Sequence, residues 1–266
     1  MPLTTTAKEF VRSRLDRAQI ERLKTLQGLR FRRTQAVLWR LLFGSRLNAL
    51  ATVYNSDKWN THWYTQHYQR HFAPLRRRPL VLLEIGIGGY DDPEQGGASL
   101  RMWRTYFPKA RIYGIDIHDK RRHDERRIKT FQGSQADPEF LAHVLGQTGT
   151  PDIIIDDGSH QNAHVLASFA FLFPKLAANG IYAIEDTQTS YWPNHGGSSE
   201  DLNRADTSMG FVKHLVDGLN HQELRIPGYE PTYTDRHVVA VHCYHNLVFI
   251  QKGRNDERTN IPLRAT

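Results

Sequence analysis

The sequence predicts an α/β protein built on a doubly wound, mostly parallel seven-stranded sheet, and three observations lead there. From residue 80 onward, short aliphatic runs alternate with stretches whose apolar residues recur at helical spacing, the pattern of successive βαβ units. The first run, Leu80, Val81, Leu82 and Leu83, is continuous rather than alternating, as a strand covered on both faces must be. Two runs near the carboxyl end, 237–241 and 246–250, are separated by only a few residues, which predicts a C-terminal antiparallel hairpin.

In chain order, a basic helical N-terminal segment occupies residues 1–53. It carries eleven lysines and arginines against three acidic residues up to position 50, so the net charge of +7 resides there. Interleaved leucines give it two readings: an amphipathic surface for an anionic partner or a second subunit, or a solvated basic face over an ordinary helical hairpin. It lacks aromatic ladders, helix-turn-helix spacing and zinc-ligand spacing, which argues against sequence-specific nucleic-acid binding. An aromatic, histidine-rich stretch to Phe72 and the run Arg76, Arg77, Arg78, Pro79 lead into the main domain, 54–266. Strands are expected at 80–85, 111–115, 127–132, 152–155 and 180–184. Helices are expected between them at 99–106, 138–144 and 163–173, with a further helix at 206–219. The 39% apolar content of 266 residues suffices for one large domain. Cys243 is the single cysteine; it excludes an intramolecular disulfide, suits a reducing cytoplasm, and is expected in the core of the last hairpin. The apolar stretch 36–53 is interrupted by Arg40 and Arg46, too charged to span a bilayer.

The first strand ends in Glu84-Ile-Gly-Ile-Gly-Gly-Tyr90. Gly86, Gly88 and Gly89 allow a tight turn and a close backbone approach to a ligand. A dinucleotide-binding turn would begin with glycine, whereas Glu84 stands there. Its carboxylate would repel a pyrophosphate but suits the amino group of a methionine tail, which points to S-adenosylmethionine. The second strand ends at Asp116, the position from which an acid hydrogen-bonds a ribose diol. It lies roughly 30 positions after Glu84 against about 20 in the usual fingerprint, the excess being the loop Asp91-Asp-Pro-Glu-Gln-Gly-Gly97. Ser99, near the start of the following helix, is either a cap or a contact for a carboxylate ligand. Tyr90 and Asp156 complete the expected cofactor set.

The fourth and fifth strands end in Asp156-Asp-Gly-Ser-His160 and Glu185-Asp186. Four acids at neighbouring strand ends would repel one another in a partly buried cleft unless a cation lay between them. An all-oxygen set favours Mg2+, which keeps positions open for substrate oxygens. A hydroxyl is too weak an acid to attack a methyl group unaided at neutral pH, and His160 is placed to act as the base. Tyr191 and Trp192, followed by the glycine-containing loop to Ser199, are either a sugar-binding lid or a mobile surface loop with two core aromatics.

Taken together, Glu84-Ile-Gly-Ile-Gly-Gly-Tyr90, the segment from Asp91 to Trp103, Ile155-Asp-Asp-Gly-Ser-His160 and Ile184-Glu-Asp-Thr-Gln-Thr-Ser-Tyr-Trp192 resemble the metal-dependent O-methyltransferases of macrolide deoxysugars, the macrocin and mycinamicin type. The resemblance runs from about Tyr54 to the last strand and implies the class I methyltransferase fold. It implies that Asp157, Glu185 and Asp186 ligate Mg2+ and that His160 is the general base. It also implies that Ser56, Asp57 and Lys58 lie near the methionine part of the cofactor, and that the segment holding Gln132 and Ser134 flanks adenine. The family has a longer amino-terminal domain where this chain has its basic segment. The expected function is Mg2+-dependent methylation of a hydroxyl of a saccharide or glycosylated metabolite by a cytoplasmic homo-oligomer. The competing readings are O-methylation of a catechol-like phenol and a cofactor-binding protein without catalysis; a nicotinamide-dependent oxidoreductase is disfavoured by Glu84.

Overall fold

The computed structural model describes residues 37–39 and 41–259; the basic segment before residue 37 lies outside them. The core is a seven-stranded sheet of order β3-β2-β1-β4-β5-β7-β6. Strands β1 (Val81–Ile85), β2 (Arg111–Asp116), β3 (Ile128–Gln132), β4 (Ile153–Asp156) and β5 (Ile181–Glu185) are parallel. Strand β7 (Leu247–Lys252) runs antiparallel between β5 and the edge strand β6 (Val238–Tyr244). Each expected strand is present within a few residues of its expected ends, and Asn246 takes the left-handed conformation in the tight connection of the hairpin.

Both faces of the sheet are covered, which is why its strands are aliphatic throughout. Leu82, Ile153, Ile155, Ile181, Ala183, Leu247 and Phe249 face one layer with Trp103, Tyr68 and Phe72. That layer is formed by helices α1 (Leu47–Tyr54), α2 (Thr65–Phe72) and α3 (Ala98–Tyr106). Val81, Leu83, Ile85, Ile154, Tyr182, Ile184, Val248 and Ile250 face the other. There they meet α4 (Pro138–Thr148), α5 (Asn162–Leu172) and α6 (Ser208–Gly218). A last short helix, α7 (Tyr233–His237), leads into β6.

This strict alternation decides where the acids point. Glu84 and Glu185 share parity with Leu82 and Ala183 and therefore face the α1–α3 layer. Asp156 shares parity with Ile154 and faces α5.

Several helix starts are locally encoded. Asp137 accepts hydrogen bonds from the amides of Glu139 and Phe140, with Pro138 at the first helical position of α4. Thr207 likewise caps α6.

One expectation needs correction. Cys243 is exposed, not buried, because β6 is the edge strand and only its β7 side is covered. The division expected after residue 53 falls within α1, whose Leu47, Leu50 and Ala51 are buried beside the aromatic residues of the first layer. Among the described residues no helix is long and apolar enough to cross a membrane.

Candidate active site

Strand order reverses between β1 and β4, and the crevice outside the carboxyl ends of such strands is where open α/β sheets hold ligands. Gly86 has φ +85°, and a Cβ there would lie 1.9 Å from the carbonyl oxygen of Asp157. Only glycine lets the ends of β1 and β4 approach this closely. Gly88 is exposed, and a Cβ on it would meet nothing nearer than 3.9 Å, so the turn presents open backbone to the crevice. Asp116 braces that turn: its carboxylate accepts from the amides of Ile87 (3.0 Å) and His118 (2.9 Å). Tyr90, at the tip, is exposed and left-handed (φ +45°). Behind it, the ammonium of buried Lys120 donates to the carbonyls of Asp92 (2.7 Å) and Gln95 (3.2 Å), pinning the 91–97 loop.

Three residues of the expected cofactor set have partners within the protein. Glu84 is fully buried. It accepts from the Ser99 hydroxyl (2.8 Å) and the Trp103 indole N–H (3.2 Å), with the Lys58 ammonium 3.4 Å away. Burial pushes its pKa up, against the pull of Lys58. Ser99 is not the helix cap: Gly97 stands at that position, and the Ser99 hydroxyl turns inward to Glu84. Asp156 is buried on the α5 side, accepting from Ser168 Oγ (2.5 Å), Gln135 Nε2 (2.9 Å) and Tyr182 OH (3.2 Å). Burial raises its pKa even so. Strand alternation therefore removes Asp156 from the crevice and makes it the anchor of Gln135, whose Oε1 accepts from the Ser159 amide (2.8 Å). Gln132 is exposed, and Ser134 closes a local turn by accepting from the Ala136 amide.

At the ends of β4 and β5, the structure gathers Asp157, His160 and Asp186. One ligand atom from each lies within 4.8 Å of the others, a spacing that fits a divalent cation. His160 Nε2 is 3.9 Å from Asp157 Oδ1 and 3.6 Å from Asp186 Oδ2. His160 (φ +54°) and Asp186 (φ +53°) are both left-handed non-glycine residues, a strained arrangement that concentrates at functional sites. Glu185 is adjacent but turned inward: its Oε1 accepts from the Lys58 ammonium and the Tyr68 hydroxyl, each at 2.6 Å. It is thus absent from the three-residue group, although sequence resemblance places it among the metal ligands.

The stretch from residue 56 to α2 supplies the donors. Lys58 lies 2.6 Å from both Asp157 Oδ2 and Glu185 Oε1. Burial opposes its charge, but Asp157, Glu185 and Glu84 outweigh that, and its pKa is raised well above the usual value. Glu185 is also pushed well up, by burial and then by the charge of Asp157. Tyr64 donates to Asp186 Oδ1 at 2.6 Å; burial and then this hydrogen bond hold its phenol proton tightly. Ser56 is buried close by and Asp57 is exposed. Tyr64 and Tyr68 were not singled out from the sequence; their four-residue spacing at the start of α2, which puts both on one face, is the signal that was there.

After Asp186 the chain makes two short 3-10 turns, Thr187–Tyr191 and Pro193–His195. Trp192 is nearly half exposed and Tyr191 partly so. The loop beyond is folded back: Gly197 donates to the Trp192 carbonyl, Ser198 to that of Ser190, and the Asn162 amide group to those of Thr189 and His195. An open cleft of about 770 Å³ lined by Tyr233, Arg236, His237 and Lys252 contains none of these residues. The Lys252 ammonium is already committed to the carbonyls of Phe173, Pro174 and Leu176.

Sheet order, helical layers and the closing hairpin define the class I methyltransferase fold. No family model matches the chain, but individual relatives do. The mycinamicin VI 2''-O-methyltransferase of Micromonospora griseorubida is 50% identical over 219 residues, 80% of this chain and 55% of that protein. The demethylmacrocin O-methyltransferase of Streptomyces fradiae is 52% identical over 213 residues, 79% and 54% respectively. A solved structure of the mycinamycin-pathway methyltransferase MycE, in complex with Mg, SAH and mycinamycin VI, superposes with a TM-score of 0.78 at 48% identity, covering 82% of this chain and 57% of that one. The matched region is a homologue of the macrolide sugar O-methyltransferases; the chain spans about half the length of the curated relatives it matches.

Proposed function

We propose that the protein transfers a methyl group from S-adenosylmethionine to a hydroxyl of a saccharide or glycosylated metabolite, with Mg2+ at the acidic end of the sheet. The observation that carries this reading is the convergence of Asp157, His160 and Asp186 at the carboxyl ends of β4 and β5, beside an open glycine turn on β1. Homology to the sugar O-methyltransferases supports it.

Asp157 and Asp186 would hold the ion, with Glu185 as the third acidic group behind them. When bound, Mg2+ supplies Lewis acidity that makes a coordinated hydroxyl easier to deprotonate. His160 accepts the hydroxyl proton on Nε2, the nitrogen that faces both carboxylates. Lys58 offsets the charge of Asp157 and Glu185, so the acids coexist without repelling one another apart. On the other side of the switch point, Gly86 and Gly88 shape the crevice for the cofactor, Asp116 offers its carboxylate to the ribose, and Ser56 and Asp57 approach the methionine part. Gln132 and Ser134, at the end of β3, flank the adenine. Trp192 and Tyr191 present aromatic surface to the acceptor.

The same reading has the basic segment, residues 1–53, contact a second copy or an anionic surface while its α1 end packs in the first layer, and treats the whole as a cytoplasmic homo-oligomer. Incubation with labelled S-adenosylmethionine, Mg2+ and a panel of glycosides and catechols, with product regiochemistry read by NMR, tests the function. Methylated glycoside is the expected product. Transfer to catechols alone would move the acceptor to the phenol class, and cofactor binding without any transfer would leave a binding protein.

A further inference from the structure

The two carboxylates nearest His160 are each divided between two tasks. Asp157 gives Oδ2 to the Lys58 ammonium and turns Oδ1 toward His160. Asp186 gives Oδ1 to the Tyr64 hydroxyl and turns Oδ2 toward His160. A free aspartate would interchange its oxygens readily, because rotation about the bond to the carboxylate is broad and roughly two-fold.

Tyr64 is itself firmly placed. It is 3% exposed, and its backbone amide donates to the carbonyl of Lys58. Its ring stacks on His62 at 4.9 Å with 16° between planes. His62 Nδ1 is 3.8 Å from the same Asp186 Oδ1, so two side chains of one turn converge on that oxygen and none of these contacts involves Oδ2.

We propose that Tyr64 is a positioning residue for the divalent cation: its hydroxyl fixes Asp186 so that Oδ2 is presented beside Asp157 Oδ1 and His160 Nε2. The proposal rests on the metal-dependent reading above. Outer hydrogen bonds of this kind typically carry 10–100-fold in metal affinity, and Tyr64→Phe removes this one while keeping the ring and its stacking.

The test titrates Mn2+ alone into the full-length protein and its variants, following the free-ion signal by electron paramagnetic resonance. Wild type is expected to bind one Mn2+, and Tyr64→Phe to bind about 10–100-fold more weakly. The spectrum of bound Mn2+ should also change, while calorimetric affinity for S-adenosylmethionine stays the same. His62→Gln, which keeps the Tyr64 hydroxyl, should weaken binding much less. Should Tyr64→Phe fail to fold, replacement of Tyr64 by 4-fluorophenylalanine, which fills the space of the hydroxyl without donating, takes its place: weaker Mn2+ binding with an altered bound-ion spectrum supports the proposal, and no change in either overturns it. Wild-type binding matched by an unchanged Tyr64→Phe overturns the role of Tyr64 alone. No Mn2+ bound by wild type overturns the metal reading and this proposal with it.

Discussion

At the β1–β2 end of the sheet the glycine turn is braced by one acid at the end of the adjacent strand, Asp116, which accepts from the amide of Ile87, 29 positions before it, and from that of His118, two residues on. At the β4–β5 end, Asp157, Glu185 and Asp186 are held by Lys58, Tyr64 and Tyr68, donors 99 to 127 positions away in the chain. The first end is backbone geometry with one supporting acid. The second is a charge balance assembled by tertiary structure from a segment outside the βαβ repeat. Such a balance is sensitive to the loss of any one member, since an unpaired buried charge costs far more than a lost contact. The acidic end should therefore respond to perturbation more steeply than the glycine turn.

The largest effect is expected at the acidic end. Removing the divalent ion with EDTA should abolish methyl transfer while calorimetry still detects S-adenosylmethionine binding, because the cofactor is assigned to the glycine turn and Asp116 and the ion to the carboxylates of Asp157 and Asp186. His160→Ala should lower the rate by about 10²–10⁴-fold, the usual range for general-base catalysis, with Mn2+ affinity retained. Full turnover after verified metal removal would erase the contrast between the two ends, and an unaltered rate for His160→Ala would return the proton to another acceptor.

A smaller effect is expected at the turn. Asp116→Ala should weaken S-adenosylmethionine binding by about 1.5–3 kcal/mol if hydrogen bonds to the ionised carboxylate are lost. Titration calorimetry on folded protein measures it. An unchanged affinity would show that Asp116 serves only the amides of Ile87 and His118.

Asp156 and Asp157 show how much of this was legible in the sequence. The strands were readable because aliphatic runs of Leu, Ile and Val between glycine and polar turns leave few alternatives, and the order of elements follows from their alternation with helices. The cluster of acids at the ends of β4 and β5 was readable for the same reason: strand ends are where the aliphatic runs stop. Which of two adjacent acids faces the crevice was also encoded, in the period of two that puts Asp156 with Ile154 toward α5. What local sequence did not contain was the set of donors. Lys58, Tyr64 and Tyr68 reach the acids only because α2 packs across the sheet, and that packing depends on Phe72, Trp103 and Phe249 meeting in one layer. The partners of Glu84 were hidden on the same account, since Ser99 and Trp103 come from α3.

Asp156 should accordingly behave as a residue of the fold. Asp156→Ala leaves the Ser168, Gln135 and Tyr182 donors without their acceptor, and one buried donor left unpaired costs about 1–3 kcal/mol. Each kcal/mol corresponds to roughly 2–4 °C in Tm for a chain of 150–250 residues. Differential scanning calorimetry should show the loss, with S-adenosylmethionine affinity per folded molecule unaltered. A normal Tm combined with lost cofactor affinity would put Asp156 back in the crevice.

The smallest effect is expected where neither end reaches. Cys243 is exposed on the edge strand β6, directly across from Val248 of β7, which is fully buried. The pair shares one backbone register, so the two substitutions differ chiefly in what surrounds each side chain. Val248→Ala removes buried methyl groups worth about 0.8 kcal/mol each before any cavity penalty is added. Cys243→Ser exchanges one small exposed group for another and should stay within about 0.5 kcal/mol of wild type. Measured by urea denaturation of the full chain, the two should separate clearly. A destabilisation by Cys243→Ser as large as that by Val248→Ala would mean that the edge of β6 is covered in solution, and a concentration dependence of that loss would identify the cover as a second copy of the chain, because only an oligomer's stability changes with protomer concentration.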